Sequence, residues 1–274
     1  MTAVLTSTLP FLKWAGGKQR LMPQYEPYLP PLADIGRYYE AFIGSAALFF
    51  HWQPPQATLA DRNEKLVEVY RAVQQEVAAV IDALRQHRND EAYFYAVRGQ
   101  DESRLSPVER AARLIYLNRT CYNGLYRENS KGKFNVPFGR YKNPNICHEE
   151  RLYAASASLQ GVELMAADFA EVVETAVAGD FIYFDPPMSP QPHQQLHRLR
   201  QRGLRRGRPH PPGRRRRRPD GAGLQSYVKQ LRHPLVYDLY NRHPYTLITI
   251  HARRNINRNG NGRGPIRELL ILNY

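Results

Sequence analysis

The chain has 274 residues, 42% of them apolar, with a mean hydropathy of -0.59 and a formal charge of +14 from 39 Lys+Arg against 25 Asp+Glu. That length suits one large domain or two small ones with a sizeable core, and no apolar run reaches the roughly eighteen residues of a spanning helix, which excludes a membrane protein. Cys121 and Cys147 are too few for a disulfide framework or a tetrahedral metal site, and the first ten residues lack a secretory pattern, so a cytoplasmic protein without structural metal is expected.

In chain order, residues 36–50 read as a short strand entering a small-residue turn and then a helix, and 56–61 as a second short strand ending on Asp61. Residues 63–88 place Leu66, Val67, Val69, Tyr70, Val73, Val77 and Val80 at helical spacing, and 111–116 continues helical. Residues 118–141 read as loop, with Asn123-Gly124 and Lys131-Gly132 as turn signals and 134–136 as a hairpin arm. Residues 180–184 (D-F-I-Y-F) predict a buried strand ending at Asp185-Pro186-Pro187, and 245–250 and 268–272 predict closing strands. Alternating strands and helices argue for an α/β sheet with residues 64–150, rich in helix and loop, inserted as a second unit.

The basicity is local. Residues 189–223 hold eleven Arg and one acidic residue, so they carry +10 of the charge and the remainder only +4. The stretch has no Val, Ile, Phe, Tyr or Trp, cannot bury a face, and reads as disordered. It is a nucleic-acid tail, a linker, or a GC-rich gene translated out of frame. Residues 224–234, back-translated and read from the second nucleotide, permit C-K-V-M-L-S-N-S-D-T-P, a buried-strand pattern ending in a polar loop. Ordinary protein is also permitted upstream, at 189–200 and 203–213. The frame slip, with junctions near Met188 and His233, is the preferred reading, and under it the run from Arg214 to Arg218 says nothing about partners.

Three pieces fall at the ends of predicted strands, where open α/β sheets bind ligands. In E-A-F-I-G-S-A at 40–46, Gly44 and its small neighbours allow close backbone approach to a ligand, or ordinary strand-helix packing. Asp61 is placed to accept from a ribose diol or an amino group, or to cap the following helix. In Asp185-Pro186-Pro187 the prolines stiffen the backbone and leave carbonyls free to accept.

With F-L-K-W-A-G-G-K at 11–18, these pieces resemble the Dam-type DNA adenine-N6 methyltransferases. The ordered motifs are W-A-G-G-K at 14–18, F-I-G-S-A at 42–46, L-A-D-R-N at 59–63, N-R-T-C-Y-N-G-L-Y-R at 118–127, F-N-V-P-F-G-R-Y at 134–141 and D-P-P-M at 185–188. The resemblance covers 9–187 and 234–274. It departs at Ala41, where Pro is usual, at Ala46, where Gly is usual, and at Met188, where an aromatic residue would stack on the base.

The resemblance implies a Rossmann-like sheet that binds S-adenosylmethionine, with a catalytic domain of 1–63 and 151–274 and a mostly helical DNA-recognition domain of 64–150. Trp14, Lys18, Asp61 and Asp185 would contact the methyl donor, Phe42 and Gly44 would line its pocket, and Asp168-Phe169 would hold its adenine. Asp185, Pro186, Pro187 and Met188 would form the catalytic element. Tyr122, Asn123, Leu125 and Arg127 would enter and read the duplex, with Lys13, Pro137 and Arg140 as further contacts. A GATC-like site in double-stranded DNA, a monomeric and nucleoid-associated enzyme, and no metal are expected, and Cys121 is expected to be structural. Loss of the helix and strand after residue 188 predicts weak activity. The rival reading is a non-catalytic basic nucleic-acid-binding protein with a vestigial donor pocket.

Overall fold

The computed structural model describes residues 8–186, 225–231, 246–254 and 264–273. Its sheet has seven strands: β1 (Tyr38–Glu40), β2 (Ala57–Asp61), β3 (Glu163–Ala166), β4 (Phe181–Phe184), β5 (Gln225–Leu231), β6 (Thr246–Arg254) and β7 (Gly264–Leu272). They lie in the order β3-β2-β1-β4-β5-β7-β6. Neighbours from β3 through β5 are parallel, and β7 is antiparallel to both β5 and β6. The chain leaves β1 for β2 on one side, while β4 flanks β1 on the other. That reversal opens a crevice beyond the carboxyl ends of the parallel strands.

Alternation along the central strands builds two cores. Tyr38, Phe181 and Tyr183 face a large cluster with α-helical partners, whereas Tyr39, Ile182 and Phe184 face a smaller one with Ala60, Phe169, Val172, Leu269 and Ile271. The uninterrupted burial of β1 and β4 is what parallel strands covered on both faces require.

The α-helices among the described residues are α1 (Met22–Tyr25), α2 (Ala47–Trp52), α3 (Glu64–Gln75), α4 (Val77–Arg85), α5 (Glu91–Gly99), α6 (Pro107–Thr120), α7 (Glu149–Leu159) and α8 (Phe169–Glu174). The helical pattern expected over 63–88 is two helices, because Glu76 at φ -135, ψ 40 interrupts it. Both helices pack on α6 and α7, and α3 alone also packs on β2 and β3. Asn63 caps α3 by accepting from the Leu66 N–H at 3.2 Å, and Ser106 and Glu109 form a reciprocal capping box at the start of α6. The predicted loop 118–141 begins later than expected, since Asn118 to Thr120 complete α6, with Asn118 and Thr120 buried.

The strand after β4 was expected to be lost with the arginine-rich segment. The backbone of β5 instead pairs with β4 from Phe181↔Gln225 to Phe184↔Val228 and with β7 from Tyr227↔Leu272 to Leu231↔Glu268. The reason is that ladder bonds use main-chain groups, so a segment with strand-compatible residues occupies the slot whichever side chains it carries. Pro187, Met188 and the run from Arg214 to Arg218 lie outside the described residues.

Candidate active site

A cavity of about 260 Å³ sits at the crevice, walled by four separate stretches of chain: 14–18, the turn after β1, the tip of β2 and the end of β4. Trp14, Lys18, Phe42, Gly44, Asp61 and Asp185 all line it. Asp61 accepts from the Asn63 N–H at 2.9 Å and the Gly44 N–H at 3.5 Å, so it ties the β2 tip to the β1 turn. Capping of α3 falls to Asn63, which leaves Asp61 facing the cavity. Gly44 has φ +44, and a Cβ there would stand 2.8 Å from Trp14 Cδ1, so a side chain would meet both backbone strain and the indole.

Charge in the cavity is one-sided. Lys18 Nζ pairs with Asp185 Oδ2 at 2.9 Å and also donates to the Gly16 carbonyl. Against that single ammonium stand the carboxyl groups of Glu40, Asp61 and Asp185. Burial pushes Glu40 up to about 8, reinforced by Asp185 and Asp61 and opposed by the Tyr38 hydroxyl that donates to it at 2.8 Å. Burial likewise raises Asp61, opposed by backbone N–H groups of Asn63, Gly44 and Arg62. An excess of acceptors in a partly dry cavity suits a ligand with cationic and hydrogen-bond-donating groups.

Two departures in the turn have structural consequences. Ala41 donates its N–H to the Tyr183 carbonyl at 3.3 Å, a bond between β1 and β4 that proline cannot make. Ala46 adopts φ 51, ψ 38, a left-handed conformation that costs a non-glycine residue roughly 1 kcal/mol.

Not every expected donor contact reaches the cavity wall. Phe169 is buried against Phe42 with ring centroids 5.7 Å apart, so Phe42 stands between it and the space. Asp168 accepts from the Ala170 N–H at 3.0 Å and pairs with Arg62 at 3.7 Å. Pro186 follows Asp185 at the edge of the described chain and is half-buried.

The expected DNA contacts gather on one loop system beside the cavity. Tyr122 donates its N–H to the Pro137 carbonyl at 2.9 Å, and both residues are exposed. Asn123 and Gly124 are both left-handed, a sharp bend that aims the exposed Asn123 outward. Arg127 donates from Nε to Asn135 Oδ1 at 2.6 Å, and Arg140, also exposed, lies 3.8 Å from Glu91. Leu125 is half-buried beneath them. Lys13 packs against Gly124, and its ammonium lies 4.6 Å from the Tyr141 ring centroid.

Several residues of the site escaped the sequence reading. Asn118 accepts from the Lys13 N–H at 2.9 Å and donates to the carbonyls of Lys13 at 2.7 Å and Gly124 at 3.1 Å, clamping the two segments together. Arg119 has a buried Nε without an acceptor among the described residues, and burial, with Arg151 nearby, lowers it to about 10. Lys13 is lowered by burial and by Arg119. A polar residue inside a helix end and an arginine beside it were the available signals. Cys121, buried and pushed up to about 12 by burial, is held by the Leu125 carbonyl at 3.2 Å and is poorly placed to act as a thiolate. No group of His, Cys, Asp and Glu suited to a metal ion occurs among the described residues, and no described helix is long and apolar enough to cross a membrane.

A family model described as D12 class N6 adenine-specific DNA methyltransferase matches residues 14–256. The chain is 34% identical over 282 residues to the type II methyltransferase M1.LlaDCHI of Lactococcus lactis subsp. cremoris, covering 97% of this chain and 95% of that one. It is 39% identical over 200 residues to the type II methyltransferase M.MjaIII of Methanocaldococcus jannaschii, covering 66% and 69%. It is 35% identical over 187 residues to a DNA adenine methylase of Serratia marcescens, covering 66% and 67%.

Proposed function

The chain belongs to the D12 class of N6 adenine-specific DNA methyltransferases, and from that premise we propose that S-adenosylmethionine occupies the cavity between Trp14, Asp61 and Asp185 while a flipped adenine enters over Asp185-Pro186. The observation that carries this reading is the convergence of Trp14, Lys18, Asp61 and Asp185, from three separate stretches of chain, on one acceptor-rich cavity at the strand ends. The donor, when bound, supplies an electrophilic sulfonium methyl group. Asp61 suits hydroxyl or ammonium donors, Trp14 and Phe42 supply flat apolar walls, and Lys18 orients the Asp185 carboxylate.

An adenine amino group is a weak nucleophile because its lone pair is delocalised into the ring. The Asp185 carboxylate and the Pro186 carbonyl are suited to accept its two hydrogens and localise that pair toward the methyl group. No covalent enzyme intermediate is required, in keeping with the inert surroundings of Cys121. The target nitrogen is inaccessible in a duplex, so the base must leave the stack. The exposed Tyr122 and Asn123 suit entry into the opened duplex, and Arg127 suits a guanine edge in a GATC-like site. Lys13, Arg119 and Arg151, with no acid partner among the described residues, suit phosphate.

Residues 64–150 act in this reading as the recognition unit, the chain works as a monomer, and the segment at 188–233 is the product of a frame slip that lowers activity. Met188 in place of an aromatic residue removes the stacking surface for the flipped base. Titration calorimetry with S-adenosylmethionine tests the donor site: saturable binding that Asp61→Ala weakens at least about 100-fold supports it. Absence of saturable binding by the unmodified chain rejects the site. Transfer of labelled methyl to a GATC duplex tests the target, and full turnover by protein whose mass confirms the arginine run refutes lowered activity.

A further inference from the structure

The cavity and the recognition loop share one short segment, Lys13-Trp14, and one aromatic ring joins them. Trp14 lines the cavity, and on the loop side its indole stacks on Tyr126, with centroids 5.2 Å apart and planes at 22°. Phe134 meets Tyr126 edge-on at 5.9 Å. The Tyr126 hydroxyl donates to Glu128 Oε1 at 2.7 Å, and the same oxygen accepts from Lys65 Nζ at 2.7 Å. Lys65 also donates to the Gly132 carbonyl at 2.7 Å and pairs with Glu102 at 2.8 Å, which is held by the buried Arg113 at 2.6 Å. Lys65 lies on α3, two residues beyond Asn63, itself a cavity-lining residue. The loop tip is therefore tied to the donor cavity twice, through Trp14-Tyr126 and through α3.

Resting on the assignment of the cavity to the methyl donor, we propose that Tyr126 is a positioning residue that couples donor occupancy to the order of the recognition loop at 127–135. A ligand packed on Trp14 fixes the indole plane. The stacked phenol then keeps its hydroxyl on Glu128, and Glu128 together with Lys65 holds both arms of the tip, Glu128 opposite Phe134 and the turn at Gly132. The base of the loop is closed by bonds between Arg127 and Asn135, and its tip is otherwise held by exposed bonds among Asn129, Lys131 and Lys133, which open easily. Linkage makes the effect reciprocal, so a duplex that orders the loop tightens donor binding by the same factor.

Amide hydrogen exchange of the full chain, with and without S-adenosylmethionine, tests this. Donor is expected to slow exchange across 127–135 by about threefold or more in the unmodified chain. Tyr126→Leu removes ring and hydroxyl, and is expected to abolish the slowing and weaken donor binding roughly tenfold. Tyr126→Phe keeps the ring, so donor affinity stays within about threefold while the slowing at 129–133 is lost. A merely structural role would speed exchange equally with and without donor. Donor binding without slowing in the unmodified chain, or slowing that persists in both variants, overturns the coupling. No saturable donor binding by the unmodified chain overturns the cavity assignment and the coupling with it, an outcome calorimetry separates from the others.

Discussion

Gly44 joins backbone conformation to the cavity wall more tightly than any side chain nearby. Its φ of +44 lies where only glycine is unstrained, its N–H points at Asp61, its carbonyl accepts from Tyr70 at 3.0 Å, and its missing side chain leaves room for Trp14. Gly44→Ala is expected to lower stability by about 1–2 kcal/mol through strain alone. It should weaken donor binding further, because the methyl group displaces the indole; thermal melting and calorimetry read the two effects separately. Unchanged donor affinity would show that Trp14 does not need its present seat. Asp61 shows the limit of reading single residues: as an acid at a strand end it had two roles of equal merit, and only the proximity of Asn63 to the Leu66 N–H assigned the cap elsewhere.

At the level of elements, α4, α5 and α6 are joined by a histidine rather than by apolar contact alone. His87 stacks on Tyr116 at 4.3 Å and shares a hydrogen bond with Tyr93 at 2.9 Å. Burial lowers it to about 4, well under its ordinary 6.5. The unfolded chain thus takes up a proton between pH 6.5 and 4 that the folded chain refuses, and stability present above pH 6.5 is lost as pH falls through that window. Allowing for the ring's partial exposure, the loss attributable to His87 at pH 5 is about 1 kcal/mol. His87→Phe keeps the stack and is expected to flatten the difference between melting curves at pH 7 and pH 5; an equal slope in both proteins would place the titration elsewhere. The apolar spacing of α3 and α6 and the unbroken apolar run of β4 were legible in sequence. The four-residue β3, with no buried residue, and the Ala- and Ser-rich α7 were not, because neither presents a strong apolar stripe.

For the whole molecule, the sheet closes through β5 even though the preceding segment carries the chain's basicity. Replacing 189–233 by the product of the shifted frame is expected to raise the melting temperature by several degrees and methyl transfer by about tenfold or more. A restored chain no more stable and no more active would refute the frame slip. Length, charge distribution, strand order of burial and the spacing of the motifs were determined by sequence alone, because periodic burial and glycine turns are local properties that neighbouring residues display. Which acid faces the cavity, that Glu40 joins Asp61 and Asp185 there, and that Asn118 and Tyr126 bind the recognition loop to Lys13-Trp14 were decided only by tertiary structure. Asp185 stands more than a hundred positions from Glu40 and Asp61, as do Asn118 from Lys13 and Tyr126 from Trp14, and the parallel sheet brings the separate strand ends to one crevice.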